Sequence, residues 1–215
     1  MTGCSCDSTD RQFDAGIARR DLKRLRRRGP DLVTRRLLDA VKSVPLPPEA
    51  TLLDVGGGVG AIHHFLLDHG FSRATQVDAS TAYLEAAEEE AVRVGHDERV
   101  EFRFGGFPAA AAGVAPADVV TMDRVVCCDP DFTGLLGSAA DKTRRLLAFS
   151  YPRPRRLTRI VVASANALRR LFGQPFRAYV HSPEAMTSVL ESRGLRRRWA
   201  GGTWIWAVEL FERAA

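Results

Sequence analysis

The chain has 215 residues, of which 45% are hydrophobic and 27% are charged, and its formal net charge is +5. This composition is typical of a folded globular protein and excludes wholesale disorder. No apolar stretch approaches the ~18 residues that a membrane-spanning helix needs, and the first residues lack the basic start and apolar core of a secretion signal. The sequence therefore predicts a cytoplasmic protein with one domain.

The first 45 residues predict two helices, over 10–28 and 31–43, separated at Gly29-Pro30. Seven of the ten residues from Arg19 to Arg28 are Lys or Arg. Such a run is either a solvated helix face or a contact surface for an anionic partner, such as nucleic acid, a membrane surface or an acidic substrate.

Helical and strand patterns alternate between residues 50 and 150. The predicted strands cover 51–55, 74–77, 99–104, 117–122 and 146–150, and helices are predicted from about 61 to 70 and from 81 to 94. This alternation is typical of an open, mostly parallel sheet with helices on both faces.

The remaining residues predict two helices, over 157–172 and 183–193, and then a hairpin. The first helix has an apolar stripe with arginines off that face, and we expect it to cover the substrate pocket together with residues 10–43. Strand patterns at 195–199 and 203–211, joined by Gly201-Gly202, predict an antiparallel hairpin. A terminal hairpin is unlike most dinucleotide dehydrogenases.

The turn after the first strand is rich in glycine. Gly56-x-Gly58-x-x-Ala61 matches the dinucleotide-binding fingerprint, and Asp78 follows Gly58 by 20 residues, where an acidic residue that binds ribose is expected. Glycines let a ligand approach the backbone N–H groups at the start of the following helix. This pattern alone does not separate NAD from other adenosyl ligands.

The charge of Asp54 favours one kind of adenosyl ligand over the other. A carboxylate two residues before the first glycine repels a pyrophosphate but attracts a cation, and S-adenosylmethionine carries a positive sulfonium and an α-ammonium group. We therefore interpret the loop as an S-adenosylmethionine site, which disfavours a nicotinamide oxidoreductase. A different interpretation is that Asp54 caps the N–H groups of its own turn.

Leu53-Asp54-Val55-Gly56-Gly57-Gly58-Val59-Gly60 resembles motif I, hydrophobic-D-x-G-x-G-x-G, of class I S-adenosylmethionine-dependent methyltransferases. The resemblance implies a Rossmann-like α/β fold, in which a mostly parallel sheet of seven strands has its last strand antiparallel, here with N-terminal helices. A single methyltransferase domain over 1–215 would comprise a helical cap (1–45), a cofactor-binding half (50–150), and substrate-side helices with the terminal hairpin (151–215).

The resemblance also implies contacts with the cofactor at the carboxyl ends of the strands. Asp54, Gly56 and Gly58 are assigned to the methionine end, Asp78 to the ribose, Ala79, Gly106 and Phe107 to the surroundings of the adenine, and Asp123 and Arg124 to the amino-acid moiety. Many relatives carry Asp in the segment that Gly105-Gly106 occupies here. In this chain, backbone groups or another side chain must bind the adenine amine.

Residues 118–213 resemble a narrower group, the magnesium-protoporphyrin IX O-methyltransferases. The similar segments are Asp118-Val119-Val120, Arg124 to Pro130, Arg145 to Ser150 and Arg177-Ala178-Tyr179-Val180-His181. Cys128 stands where that family has a His that is assigned to substrate activation, and Asp129 replaces a Tyr. We therefore carry over the architecture of the group and not its porphyrin substrate.

Methyl transfer requires an acceptor atom about 3–3.5 Å from the methyl carbon, on the side opposite the sulfur, in a dry cavity. The candidate catalytic residues are Cys128, Tyr179 and His181. Cys128 follows the fourth strand, and the other two lie in the segment that resembles the family. Structural roles would also fit, as a buried small side chain for Cys128 and as a capping or core residue for His181. A third interpretation is a soft-metal site shared by Cys4, Cys6 and the Cys127-Cys128 pair, although no metal is predicted from the spacing.

The predicted function is an S-adenosylmethionine-dependent methyltransferase that methylates a small apolar or aromatic acceptor, with oxygen favoured as the accepting atom. Methylation of RNA or other nucleic acid is disfavoured, because no Asn/Asp-Pro-Pro-Tyr motif follows the fourth strand and no separate RNA-binding module is visible. Two functions without catalysis also fit the sequence: a sensor of an adenosyl ligand, and a protein that binds a membrane surface through 157–172. The sequence does not predict the oligomeric state.

Overall fold

The structure, a computed structural model, describes residues 6–214. Its centre is a seven-stranded sheet with the order β3-β2-β1-β4-β5-β7-β6. The strands are β1 (Thr51–Val55), β2 (Arg73–Asp78), β3 (Val100–Phe104), β4 (Ala117–Met122), β5 (Thr143–Pro152), β6 (Leu195–Gly202) and β7 (Trp206–Arg213). The first five strands are parallel, and β7 pairs antiparallel with both β5 and β6. The predicted sheet architecture is confirmed.

Nine α-helices lie within residues 6–214. They are α1 (Cys6–Gln12), α2 (Ala15–Arg28), α3 (Leu32–Lys42), α4 (Ala61–Leu67), α5 (Thr81–Val94), α6 (Phe107–Ala110), α7 (Phe132–Asp141), α8 (Arg156–Leu171) and α9 (Pro183–Ser192). Over the same residues, no helix combines the length and the apolar composition needed to cross a membrane.

The central strands are apolar on both faces because helices cover both sides of the sheet. Leu52 and Val119 belong to a buried cluster with α3 and α4, whereas their neighbours Leu53 and Val120 belong to another with α6, α7 and α9. Side chains of a strand alternate between faces, so each pair of adjacent apolar residues supplies both layers. This packing holds the carboxyl ends of the strands in place around the site.

The N-terminal segment differs from the prediction in one respect. The helix expected over 10–28 is two helices, because the Asp14 side chain accepts hydrogen bonds from the N–H groups of Gly16 and Ile17 and thereby caps a new helix. Ser80 and Thr81, at the start of α5, bond to Phe13 and Asp10, so this junction is attached to the end of β2.

Two further elements differ from the sequence pattern. The helix α7 is not predicted, because Gly134 and Gly137 lower its helical propensity; Asp131 caps it and the sheet buries its apolar face. The turn of the terminal hairpin lies at 203–205 and not at Gly201-Gly202, which pair with Val208 and Ala207 as part of β6.

Candidate active site

The carboxyl ends of the parallel strands surround a cavity of about 370 Å³, a size within the range of small-molecule sites. The chain runs from β1 outward to β2 and β3, and then crosses to β4 on the other side of β1. The cavity therefore lies at the switch point of the sheet, where open α/β folds bind ligands. Residues of the N-terminal segment, including Phe13, Leu25, Pro30 and Thr34, form the opposite wall.

The loop after β1 requires glycine for two reasons. Gly56 and Gly58 have φ angles of +63° and +56°, which disfavour residues with a side chain. A Cβ atom at Gly56 would lie 2.4 Å from Cγ2 of Val125, whereas a Cβ atom at Gly58 would have only Tyr83 near it, at 4.0 Å. The loop therefore packs against the residues after β4 and keeps the cavity open at Gly58.

Asp78 ends β2 and lines the cavity, with only 6% of its surface exposed. Its two carboxylate oxygens accept hydrogen bonds from the N–H groups of Gly58, at 3.0 Å, and Ser80, at 2.9 Å. Burial raises the pKa of Asp78 to about 6, although these N–H groups act in the opposite direction. The site thus holds a carboxylate that is ionised near neutral pH and can accept hydrogen bonds from ligand hydroxyl groups.

Asp54 does not line the cavity. It is completely buried, Thr121 Oγ1 donates to its Oδ1 at 2.7 Å, and His63 Nδ1 lies 3.4 Å from its Oδ2. A Cβ atom at Gly57 would lie 2.6 Å from Oδ2, so the carboxylate packs directly beneath the glycine loop. The glycine loop therefore lies between Asp54 and the cavity. No N–H group of residues 55–60 is bonded to Asp54 in the way that a cap of the turn requires.

Two carboxylates that line the cavity wall near the end of β4, those of Asp123 and Asp31, are linked by Arg124. The Arg124 guanidinium lies 2.7 Å from Asp31 Oδ2 and 3.0 Å from Asp123 Oδ2, and Thr34 Oγ1 donates to Asp123 at 2.7 Å. Burial lowers the pKa of Arg124, but the two carboxylates raise it above its ordinary value overall. This network attaches the start of α3, which Asp31 caps, to the end of β4.

Of the three predicted catalytic residues, Cys128 alone lines the cavity. Cys128 lies in a 3-10 turn after β4. His181 and Tyr179 lie outside the cavity wall: His181 Nε2 is 3.1 Å and 3.0 Å from the carbonyl oxygens of Val126 and Asp129, and the Tyr179 N–H donates to the Cys127 carbonyl at 2.8 Å. Both residues hold the turn that carries Cys128.

The helix α8, which the sequence predicts as part of the cover over the pocket, contributes no residue to the wall of this cavity. Among residues 6–214, no group of three or more His, Cys, Asp or Glu side chains is arranged to hold a metal ion. The proposed cysteine cluster involves Cys4 and the Cys6 side chain, which lie outside the described part of the chain.

No protein-family model matches the sequence, and no curated protein is a significant match. Solved structures do match. Magnesium protoporphyrin IX methyltransferase from Synechocystis PCC 6803, with bound S-adenosylhomocysteine, is 18% identical with a TM-score of 0.69 over 84% of this chain and 82% of that chain. An O-methyltransferase family protein from Burkholderia thailandensis is 15% identical with a TM-score of 0.71 over 95% and 61% of the two chains, respectively. A TehB-like S-adenosylmethionine-dependent methyltransferase from Corynebacterium glutamicum is 15% identical with a TM-score of 0.64 over 93% and 98%.

The chain has the class I methyltransferase fold.

Within the methyltransferase fold, most of the residues singled out from the sequence meet at one cavity. Those that line it are Gly56, Gly58, Asp78, Ala79, Gly106, Phe107, Asp123, Arg124 and Cys128. Phe13, Leu25 and Asp31 also line this cavity, and they belong to the segment 10–43 that the sequence analysis expects to cover the pocket. The sequence interpretation did not single out these three residues, because a helical pattern does not indicate which of its side chains face a ligand.

Proposed function

We propose that the protein is an S-adenosylmethionine-dependent methyltransferase that acts on a small apolar or aromatic acceptor, most favourably at oxygen. The observation that carries this proposal is the meeting of the glycine loop, Asp78, the Gly105–Phe107 segment and the Asp123-Arg124 pair around one cavity, on a methyltransferase fold. Each of these groups suits a different part of the same cofactor.

The adenosine part of the cofactor suits the wall between β2 and α6. Asp78 offers buried carboxylate oxygens to the ribose hydroxyl groups. Ala79, Phe107 and Pro108 supply apolar surface for an adenine ring, and Gly105 and Gly106 supply backbone groups but no carboxylate. We therefore infer that the adenine amine is recognised by backbone groups of this segment.

The amino-acid part suits the wall at the end of β4. Arg124 can pair with a carboxylate, and Asp123 and Asp31 favour a cation. The electrostatic argument that the sequence analysis makes for Asp54 applies also to Asp123 and Asp31, which line the cavity. The same carboxylates repel a pyrophosphate, so this wall disfavours a dinucleotide.

When bound, S-adenosylmethionine supplies an electrophilic methyl group on a sulfonium; the chain must supply the position of the acceptor and a dry environment. Other parts of the cavity wall are apolar and suit an apolar acceptor; they include Phe13, Leu25, Val125 and Leu135.

A hydroxyl acceptor must lose its proton, and Asp129 is suited to act as the base that removes it. Asp129 lines the cavity and is only 7% exposed. Burial raises the pKa of its carboxyl group, which makes it a better base. His181 contacts the Asp129 carbonyl, and we infer that His181 and Tyr179 act as positioning residues for the turn that carries Cys128 and Asp129.

Nucleic-acid methylation is not favoured, because part of the basic run on α2 is already paired. Arg26 bonds to Glu89 and Glu90 of α5, and Arg24 lies 3.3 Å from Asp21. These pairs attach α2 to α5 and reduce the charge available to phosphate groups.

Calorimetry with S-adenosylmethionine, S-adenosylhomocysteine and NAD tests the proposal. We expect micromolar binding of the first two and no binding of NAD. Asp78→Ala should weaken binding at least about tenfold, or about 1.4 kcal/mol. Asp97→Ala, at an exposed carboxylate outside the cavity wall, is the matched control and should bind as the wild type does. Binding of NAD without S-adenosylmethionine would overturn the proposal.

A further inference from the structure

The helix α8 turns an apolar face toward solvent. Of its 16 residues only Thr158 is buried. The exposed large apolar residues recur at the three- and four-residue spacing of one helix face: Leu157, Ile160, Val161, Leu168, Leu171 and, directly after the helix, Phe172. Leu171 is 79% exposed and Phe172 is 70% exposed. Water therefore meets a continuous stripe that an ordinary surface helix would bury.

The turn of the terminal hairpin extends this stripe. Trp204 and Ile205 are exposed at that turn, and the Arg155 guanidinium lies 4.8 Å from the centre of the Trp204 ring. The Arg153 N–H donates to the Ile205 carbonyl at 2.8 Å, which attaches the turn beside the start of α8. We refer to the six residues of the stripe together with Trp204 and Ile205 as the α8 patch.

Within residues 6–214, no contact buries the apolar stripe of α8. The helix contributes no residue to the cavity, and its attachment to the body uses its other side, where Asn166 exchanges two hydrogen bonds with Ala178. The apolar stripe thus serves neither the cofactor site nor the core of the fold.

The charged residues of α8 are all positive. The helix contains four arginines and no acidic residue, and Arg156, Arg159 and Arg170 are exposed without a carboxylate partner among the described residues. Arg155 and Arg156 lie at the N-terminus of the helix, where the helix dipole makes cations unfavourable. These arginines lower the stability of the helix in the isolated protein, but their charge becomes favourable when an anionic surface covers the helix.

We propose that the α8 patch binds the surface of an anionic lipid bilayer, with α8 parallel to the membrane plane. An exposed apolar stripe, flanking arginines and a tryptophan are the features by which an amphipathic helix lies at the boundary between headgroups and acyl chains. At 16 residues the helix is about 24 Å long, which suits attachment to the surface. The inference does not depend on the proposed methyl transfer.

The patch and the cavity lie at the same edge of the sheet. The helix α8 follows the carboxyl end of β5, which is parallel to β1 and β4, and the turn at Trp204 precedes β7, which begins beside Pro152. Attachment through the patch would bring the edge of the sheet that carries the cavity toward the bilayer, from which apolar molecules can be drawn.

A second copy of the chain is a less suitable occupant of the patch. Two α8 helices that met along their stripes would bury the apolar surface but would leave the arginines of both chains without opposite charge, since neither helix carries an acidic residue. An anionic bilayer instead offers opposite charge beside the apolar surface.

Co-sedimentation with vesicles tests this proposal. The full chain should bind vesicles of phosphatidylcholine with about 30% phosphatidylglycerol at least about tenfold more strongly than vesicles of phosphatidylcholine alone, and less strongly as salt rises. The double variant Ile160→Ser/Leu168→Ser and the triple variant Arg156→Gln/Arg159→Gln/Arg170→Gln should each lower the partition coefficient at least about tenfold. These positions are exposed, and an unchanged melting temperature would establish that the variants fold.

Matched control variants lie on other helices. Val92→Ser, at an apolar residue of α5 that is 68% exposed, and Arg19→Gln/Arg27→Gln/Arg28→Gln, on the basic helix α2, should bind anionic vesicles as the wild type does. Absence of wild-type binding to anionic vesicles overturns the proposal, as does equal loss in the α2 variant. Sedimentation velocity that shows a dimer dispersed by Ile160→Ser/Leu168→Ser, without vesicle binding, assigns the patch to a second copy instead.

Discussion

Asp78 makes cofactor binding dependent on pH in a defined direction. Burial raises the pKa of its carboxyl group from 3.8 to about 6. With a pKa of about 6, roughly 97% of this group is ionised at pH 7.5 and roughly 9% at pH 5.0. If ribose binds the carboxylate, the affinity for S-adenosylhomocysteine should fall about tenfold between these pH values, or about 1.4 kcal/mol.

The stability of the ligand-free protein should change in the opposite direction. A carboxyl group whose pKa is raised by folding contributes stability that is fully present below its ordinary pKa and is lost as the pH rises through the folded value. For Asp78 the loss between pH 4 and pH 7 is about 2 kcal/mol through this group alone. Ligand binding at neutral pH offsets this cost, so the ligand-induced rise in melting temperature should be larger at pH 7.5 than at pH 5.0.

Calorimetry from pH 5 to pH 8 on the wild type, Asp78→Asn and Asp97→Asn is the assay. Asp78→Asn should bind S-adenosylhomocysteine at least about tenfold more weakly at pH 7.5, and its affinity should no longer vary across this range. Asp97→Asn, outside the cavity wall, should retain the pH dependence of the wild type. A wild-type affinity that is constant from pH 5 to pH 8 would refute the reasoning.

Three further changes test the packing and the site. Leu37→Ala, at a completely buried position between α3 and the sheet, should lower the free energy of unfolding by about 2–5 kcal/mol in urea titration, without loss of the fold. Gly56→Ala forces a side chain against Val125 at a positive φ, so thermal unfolding should show a loss of more than about 1 kcal/mol, and a loss within error would show that the loop can shift. Arg124→Gln removes the ion pair to Asp31, so limited proteolysis should cut the N-terminal segment faster, and cofactor affinity should fall about tenfold. An unchanged rate of proteolysis would show that this ion pair does not hold the N-terminal helices in place.

Much of the fold was accessible from local sequence. The strand of Thr51–Val55, the glycine turn after it and the acidic residue that ends β2 are each specified within a few residues, because buried strands are apolar and positive φ angles favour glycine. The helix α7 is not evident from local sequence since its glycines lower the propensity that a local pattern reports, and burial against the sheet overrides that propensity.

The function of each site residue depended more on the tertiary structure. Asp54 and Asp123 both lie next to the ends of parallel strands, but the glycine loop lies between Asp54 and the cavity, whereas Asp123 lines it. His181 is close to Cys128 in space, yet its ring nitrogen contacts backbone carbonyl oxygens. Sequence spacing reports which residues meet at one sheet edge and does not report the direction of their side chains.

The amphipathic helix α8 also shows the difference between what the sequence specifies and what the tertiary structure decides. Its period of apolar residues is a property of the chain alone, since side chains three and four positions apart share a helix face. Whether that face meets the cavity, the core or solvent depends on where the body of the protein contacts the helix, and Asn166 and Thr158 turn the other side inward. Short-range sequence thus specified the elements and the chemistry at their ends, whereas contacts between residues distant in the chain assigned each side chain its environment.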